Sequence, residues 1–540
     1  MACSDSAAML MIVVMLADVC SGKTARLTGK KPPHIVFIVA DDLGWNDVGW
    51  HNTDMITPNL NWLASRGVIL DSTYAQPSCT PSRNSFMTGF FPYHTELQDV
   101  IEPSVPLYLP LKHVLLPQRL KQQGYATHIV GKWHLGFCNK KYTPTERGFD
   151  SFFGFYTGSV DHYWHEKTAE IQTQMSAQLS LDSLGSTLIN SLLRVRTSGQ
   201  ATGRDFRFND TVWTEAEGIY STTLTAVINC HQKLKKKKNA FCRQSQGDHQ
   251  KKKQPEKPLF LYLPKKTKKN SPLSVPAKYQ RLYRHIKSKE RRIYSGMVTA
   301  LDEAVGNITS ALFQSQLIDN LLLVFTSDNG GHPYMGGSNS PLRGGKNTIW
   351  EGGTRVPTFV YSSTLLRRRG YANNRLFHAV DWYPTILELA GAKPEKGIDG
   401  RSQWKMLSKA GESSRKEFVY NIGPNGDGAI RAGDYKLITG HPGFHNDWYP
   451  TPGAAKIARR RFKGGRFDQV KLTKSPYLLF NIEEDPEEKM DLSMEKPDIL
   501  REMLKLYEIY NSTKIPPHTA TYDAAADPAH FNGFWSPGWC

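Results

Sequence analysis

The stretch His34-Ile-Val-Phe-Ile-Val-Ala40, followed at once by Asp41-Asp42, decides how this 540-residue chain is read. An unbroken β-branched and aromatic run of this length suits a strand buried on both faces, the kind found inside a parallel sheet. Helical spacing follows: in Pro58-Asn-Leu-Asn-Trp-Leu-Ala-Ser-Arg66, Leu60, Leu63 and Ala64 share one face, and Gly67 can end the helix. The alternation recurs, with LPQRLKQQG as helix, YATHIVGKWH as strand, then LFLYL, LLLVFTSDNG and TFVYSS as buried strands. Strands interleaved with helices predict an α/β fold over residues 32–415, a large, mostly parallel mixed sheet flanked by helices. From Ser159 to Lys257 no clean period is visible, which predicts mainly surface loop. Beyond Arg415, short alternating strands (GAIRAGDYKLITG, PYLLFNIEEDPEE) precede a helix with Leu500, Met503, Leu504 and Tyr507 on one face. Residues 416–540 are therefore expected to form a smaller antiparallel α+β domain closing over one edge of the first.

Composition narrows the class. An apolar content of 39% is enough for a large core, and the formal charge of +18 is concentrated rather than spread. Between Lys233 and Lys269 there are 14 Lys/Arg against Asp248 and Glu256, a local excess of 12. Such a run, centred near 231–257, reads as a solvated insertion, or as a strip for polyanions. No aromatic interleaving supports nucleic acid as a partner. The apolar run Ala7–Ala17 is too short for a membrane span and precedes small and polar residues near Ser21, so residues 1–21 read as a secretory signal peptide, although no Lys or Arg precedes the run. No later stretch is apolar enough to span a membrane. With sequons at Asn209, Asn307 and Asn511, the expected location is the secretory pathway, ending in the lysosome or outside the cell. If the leader takes Cys3 and Cys20 and Cys79 is consumed chemically, Cys138, Cys230, Cys242 and Cys540 remain, with three possible pairings.

Three groups of residues carry chemistry. Asp41-Asp42 and Asp328-Asn329 each stand where a buried strand ends, and the carboxyl ends of parallel strands are where ligands gather. Three carboxylates and an amide oxygen suit Ca²⁺ or Mg²⁺ rather than zinc, while either pair alone could simply cap a helix. In Gly131-Lys-Trp-His-Leu-Gly136 an extended backbone would point Lys132 and His134 the same way, toward one site. Cys79-Thr-Pro-Ser-Arg83 on its own is compatible with a turn holding a structural cysteine.

Taken together, Cys79-x-Pro-x-Arg83, the GKWHLG block, SDNGG, PLRGGK and WEGGTRVP resemble the sulfatase family of the alkaline-phosphatase-like superfamily, with matching blocks in order from Pro32 to the C-terminus. The likeness is greatest to the N-acetylgalactosamine-4-sulfatase (arylsulfatase B) branch. The resemblance implies that a formylglycine-generating enzyme oxidises Cys79 to formylglycine, whose hydrate attacks sulfur. It also implies one calcium ion held by Asp41, Asp42, Asp328 and Asn329 with residue 79. Arg83 would position the formylglycine, Lys132 and Lys346 would neutralise sulfate, and His134 would orient the diol and take its proton. Substrates would be sulfated N-acetylgalactosamine glycans or aryl sulfates.

Two positions depart from the branch. Asn270 stands where a sulfate-contacting, proton-donating histidine is expected, and Asn is no general acid; unless Lys268, Lys269 or Lys346 takes over, rates on alcohol leaving groups should fall about 10²–10⁴-fold. Phe90 stands where the family has arginine, which suggests less complete formylglycine conversion. These departures leave open a catalytically weakened relative that binds sulfated glycans, and a phosphate or phosphonate hydrolase of the wider superfamily is a further, minor reading.

Overall fold

The computed structural model describes residues 31–174, 196–222, 257–266, 273–449 and 476–540. The signal-peptide stretch, the lysine-rich insertion up to Glu256, Cys230, Cys242, Lys268, Lys269 and Asn270 lie outside the described residues. A ten-stranded sheet dominates, ordered Tyr371–Asn373, Val68–Leu70, Phe359–Tyr361, Leu321–Ser327, His34–Asp41, Leu259–Lys266, Ala126–Lys132, Ser151–Phe155, Arg207–Phe208 and Thr211–Val212. The five strands from Leu321–Ser327 to Ser151–Phe155 run parallel, and antiparallel strands flank them. The opening run lies at the centre, with Ile35 beside Phe260 and Leu322.

The run is unbroken because both faces of the sheet are covered. Ile35, Phe37 and Val39 pack with Phe86, Met87, Leu120, Trp382 and Ile386 from the helices on one side. Val36 and Ile38 pack with Leu60, Leu63, Val298, Leu301 and Val305 on the other. Alternate side chains point to opposite faces of a strand, so each face needs its own apolar set and no polar position is left over.

A second sheet of four antiparallel strands, Glu417–Ile422, Gly428–Ala432, Tyr435–Thr439 and Tyr477–Asn481, follows in simple sequential order. The helix Pro497–Asn511 buries Met503 and Tyr507 against it. The chain then returns to the larger body: Ile515 N–H donates to Tyr93 O, the Trp535 indole donates to Lys167 O, and Cys540 is disulfide-bonded to Cys138. Of the four cysteines left open for pairing, these two are joined.

One expectation fails. Within the stretch from Ser159 to Lys257, Glu166–Gln174 and Arg196–Arg204 pair as a long antiparallel ribbon instead of loop. Its buried positions along the first strand are Lys167, Ala169 and Ile171, alternating with exposed Glu166, Thr168 and Glu170. A lysine and an alanine among the inward residues hide the period of two from any hydropathy reading. Among the described residues, no helix is long and apolar enough to cross a membrane.

Candidate active site

The parallel strands deliver their ends to one place. Asp41 closes the central strand, Asp42 follows it at φ 62°, and Asp328 and Asn329 follow the neighbouring strand directly. Lys132 ends a third strand. Gly131, at φ 134°, allows this approach, since a Cβ there would stand 2.0 Å from Pro264 O on the adjacent strand.

Opposite these ends, the helix Cys79–Thr88 begins at the thiol itself. Pro81 fits its first turn, where a missing N–H costs no intrahelical bond. Four residues on from Cys79, one helical turn, Arg83 falls on the same face. Its guanidinium donates to Asp328 Oδ2 at 2.8 and 3.1 Å, to Asp41 Oδ1 at 3.4 Å and to Lys132 O at 3.0 Å. The CxPxR spacing thus places a thiol and a carboxylate-binding cation side by side. Donor atoms of Asp41, Cys79 and Asp328 lie within 4.8 Å of one another. Lys132 Nζ donates to Asp41 Oδ1 at 2.7 Å, while Lys346 Nζ meets Asp42 Oδ1 and stands 3.2 Å from Cys79 Sγ.

Burial opposes the charge on Asp41, yet Lys132, Arg83 and Lys346 outweigh it and hold that carboxyl well below the usual range. Burial, with the charge of Asp41 beside it, pushes Asp328 up to about 7. Burial also raises the Cys79 thiol, more than the two lysines lower it. His134 is kept neutral by burial and by Lys132 and Arg83. Its Nε2 lies 3.0 Å from Ile101 O, which assigns the proton to Nε2 and leaves Nδ1 as an acceptor; Nδ1 is buried with no partner among the described residues.

The donor set suits a hard cation. Asn329 Nδ2 donates to Asp42 Oδ1 at 2.7 Å, and its Oδ1, the better metal ligand, is buried with no hydrogen-bond partner among the described residues. A buried, unpartnered oxygen beside these carboxylates is what a bound cation would satisfy.

The residues expected to hold the ion and carry the chemistry come together here: Asp41, Asp42, Cys79, Arg83, Lys132, Asp328, Asn329 and Lys346 through the contacts above, and His134 on the wall of the same cleft, while Lys268, Lys269 and Asn270 lie outside the described residues. The route for His134 differs from the extended geometry expected. The strand stops at Lys132, and His134 sits at φ 62° in the left-handed region. Its ring presses on Gly158, where a Cβ would stand 2.5 Å from Nε2. Phe90 packs its ring edge against His113 at 5.3 Å rather than offering a charge. The cleft holds about 850 Å³ and opens between the large sheet and the second one, adding Lys167, His332, His441 and His518, which no sequence motif had marked. Their contribution depends on which loops meet at the cleft mouth, a matter of topology rather than of local pattern.

The sulfatase family profile matches residues 33–392. The chain belongs to the sulfatase family. It is 38% identical to arylsulfatase J of Mus musculus over 95% of this chain and 81% of that protein. It is 27% identical to N-acetylgalactosamine-6-sulfatase of Sus scrofa over 94% of this chain and 91% of that one. Among solved structures, Ps i-CgsB in complex with k-i-k-neocarrahexaose superposes with a TM-score of 0.68 at 27% identity, covering 92% and 96% of the two chains. Sulfatases hydrolyse sulfate esters.

Proposed function

We propose that this sulfatase works through a formylglycine made from Cys79 by a formylglycine-generating enzyme, with one calcium ion, on sulfated N-acetylgalactosamine glycans or aryl sulfates in the lysosome or extracellular space. The observation that carries the reading is the position of Cys79: first residue of a buried helix, beside Asp41 and Asp328, with Lys346 Nζ at 3.2 Å. The formylglycine hydrate supplies one hydroxyl to displace the alcohol from sulfur and a second whose deprotonation returns the aldehyde and frees sulfate. Asp41, Asp42, Asp328 and Asn329 would hold the ion, which supplies positive charge to the sulfate oxygens.

The chain's own groups do the rest. Lys132 and Lys346 line the cleft with their ammonium groups paired to Asp41 and Asp42, and would bring fixed positive charge beside a bound sulfate. Positive groups fixed before the reaction need no reorganisation as charge builds in the transition state. Arg83 ties Asp41 to Asp328 and keeps both carboxylates aimed at one point. Nδ1 of His134 takes the proton from the second hydroxyl. The weakened-relative reading is disfavoured by this set, since every cation and acceptor the chemistry requires, apart from a donor to the leaving group, is present in one buried cluster.

The test is mass spectrometry of the peptide containing residue 79 from a secretory host, together with turnover of an aryl sulfate. Conversion of Cys79 is expected, along with turnover abolished by a chelator and restored by calcium. Unmodified cysteine with no turnover would defeat the proposal, and faster cleavage of the matching phosphate ester would reassign the enzyme to phosphoryl chemistry.

A further inference from the structure

We propose that His332 is the acid that protonates the departing alcohol oxygen, an inference that rests on the sulfatase reading above. Sulfate transfer from an alcohol needs such a group, because an alkoxide is a poor leaving anion whereas an activated phenoxide departs unaided. Lys132 and Lys346 are engaged with Asp41 and Asp42. His134 is committed to the nucleophile's side: its Nε2 is held by Ile101 O, and its carbonyl accepts from Thr80 Oγ1 in the helix that Cys79 begins.

His332 is placed differently. It is half-buried, lines the cleft, and belongs to the loop that runs from Asp328-Asn329 to Lys346. That loop is fixed on both sides of it. Gly331 N–H donates to Asn339 Oδ1 at 2.8 Å, Gly331 O accepts from Asn339 Nδ2 at 2.9 Å and from Lys346 N–H at 3.1 Å, and His332 O accepts from Met335 N–H at 3.0 Å. Since Lys346 Nζ reaches Cys79 Sγ, one lysine side chain spans the gap between the His332 segment and residue 79. The His332 ring lies 5.1 Å from that of His445 and 6.0 Å from that of Tyr334, which stand beside it. The other cleft histidines are exposed and less constrained: His441 spends Nδ1 on Gly443 N–H, and His518 packs edge-on to Tyr108.

Asp41, Asp42, Cys79 and Lys132 line the buried end of the cleft, so an ester whose sulfate sits against them directs its alcohol toward the remaining wall, to which the half-buried His332 belongs. In the step, the bond between sulfur and the alcohol oxygen breaks as the bond to the hydroxyl of residue 79 forms. The electron pair goes to the alcohol oxygen, which takes the ring proton of His332. Water returns a proton to the imidazole before the next turnover.

The experiment compares the wild-type enzyme, expressed in a secretory host, with H332Q across aryl sulfates of graded leaving-group acidity and one sulfated monosaccharide. For H332Q, kcat on the saccharide and the least acidic phenols should fall about 10²–10³-fold, and on the most acidic phenol only about threefold. The expected result is a steeper dependence of rate on leaving-group acidity. A uniform fall across the series, or none, overturns the assignment. H332A provides a second readout: added imidazole should restore turnover of poor leaving groups selectively, and failure of this rescue in a folded variant counts equally against it. If the wild-type enzyme turns over no sulfate ester, the sulfatase reading itself fails and this inference falls with it; a wild-type enzyme active on all substrates while H332Q matches it overturns only the role of His332.

Discussion

At the scale of single residues, the site consists of charges that could not stay buried singly. Asp41, Asp42 and Asp328 are each under 4% exposed, and Lys132 and Arg83 are as deeply enclosed. Such groups persist only where opposite charges compensate them. Within this set Asn329 is the sharpest probe of a bound ion, because its Oδ1 is a buried oxygen with no hydrogen-bond partner among the described residues. Asn329→Leu removes that oxygen and, with it, the amide's bond to Asp42. We expect calcium to raise the unfolding temperature of the wild-type protein by several degrees, since a ligand bound only by the folded state stabilises it by mass action. In N329L the calcium concentration needed for half that shift should rise at least tenfold. An unchanged calcium dependence, read by calorimetry without any assay of turnover, would show that the ion does not use this oxygen. Asp328-Asn329 was legible in the sequence because it follows a buried strand, and strand ends of a parallel sheet share one edge. His332 was not, because nothing about a histidine three residues further on distinguishes a cleft wall from an exposed turn.

At the scale of elements, the small sheet is tied to the larger body through a second buried ionic cluster, apart from the one at the strand ends. Lys436, in the middle of the small sheet, contacts Glu351 at 3.0 Å and Glu488 at 2.7 Å, all three fully buried. The hydroxyls of Tyr74 and Tyr420 donate to Glu351 from the two sides, at 2.8 and 2.7 Å. Burial opposes the charge on Glu351, but Lys436 and the arginines Arg355 and Arg431 bring it down to about 2. Burial pushes Glu488 up to about 7 despite the same lysine. One ammonium thus serves two carboxyls, and removing it leaves charge uncompensated in the interior. Lys436→Met should destabilise the protein by about 3–5 kcal/mol, the cost typical of breaking a buried pair from one side. Chemical denaturation checks this, and a loss below about 1 kcal/mol would mean that Arg355 and Arg431 already suffice. The strands on either side of this cluster were readable from their alternating pattern, as was the helix with Met503 and Tyr507 inward. The ribbon Glu166–Gln174 with Arg196–Arg204 escaped because its inward Lys167 is amphipathic: the stem is buried while the ammonium reaches Glu102 at 3.4 Å.

At the scale of the whole molecule, the chain's end closes what its beginning opens. Residues after Ile515 run along the cleft, Pro517, His518 and Thr519 lining it, and the Cys138–Cys540 disulfide fastens the tail 402 residues away from its partner in sequence. The stability of this closed body should depend on acidity in a direction set by its buried imidazoles. Burial lowers His113 to about 4, assisted by the neighbouring Lys112 and Arg147, and the ring of Phe90 covers it. Burial and Arg415 hold His378 well below the ordinary histidine value in the same way. Between pH 6.5 and 4 the unfolded chain binds a proton at position 113 that the folded protein refuses, so the unfolded state gains on acidification. The contribution of a neutral His113 is therefore complete above about pH 6.5 and is lost as pH falls through 4. For a partly solvated group this amounts to about 2 kcal/mol. His113→Gln keeps a polar side chain of similar size and cannot titrate. Relative to wild type, the variant should lose about 2 kcal/mol less stability between pH 7 and pH 4.5, measured by urea unfolding at each pH. Parallel pH profiles for the two proteins would show that His113 is protonated in the folded state as readily as in the unfolded one. In that case the edge-on packing of Phe90 against the ring would not be what shields it.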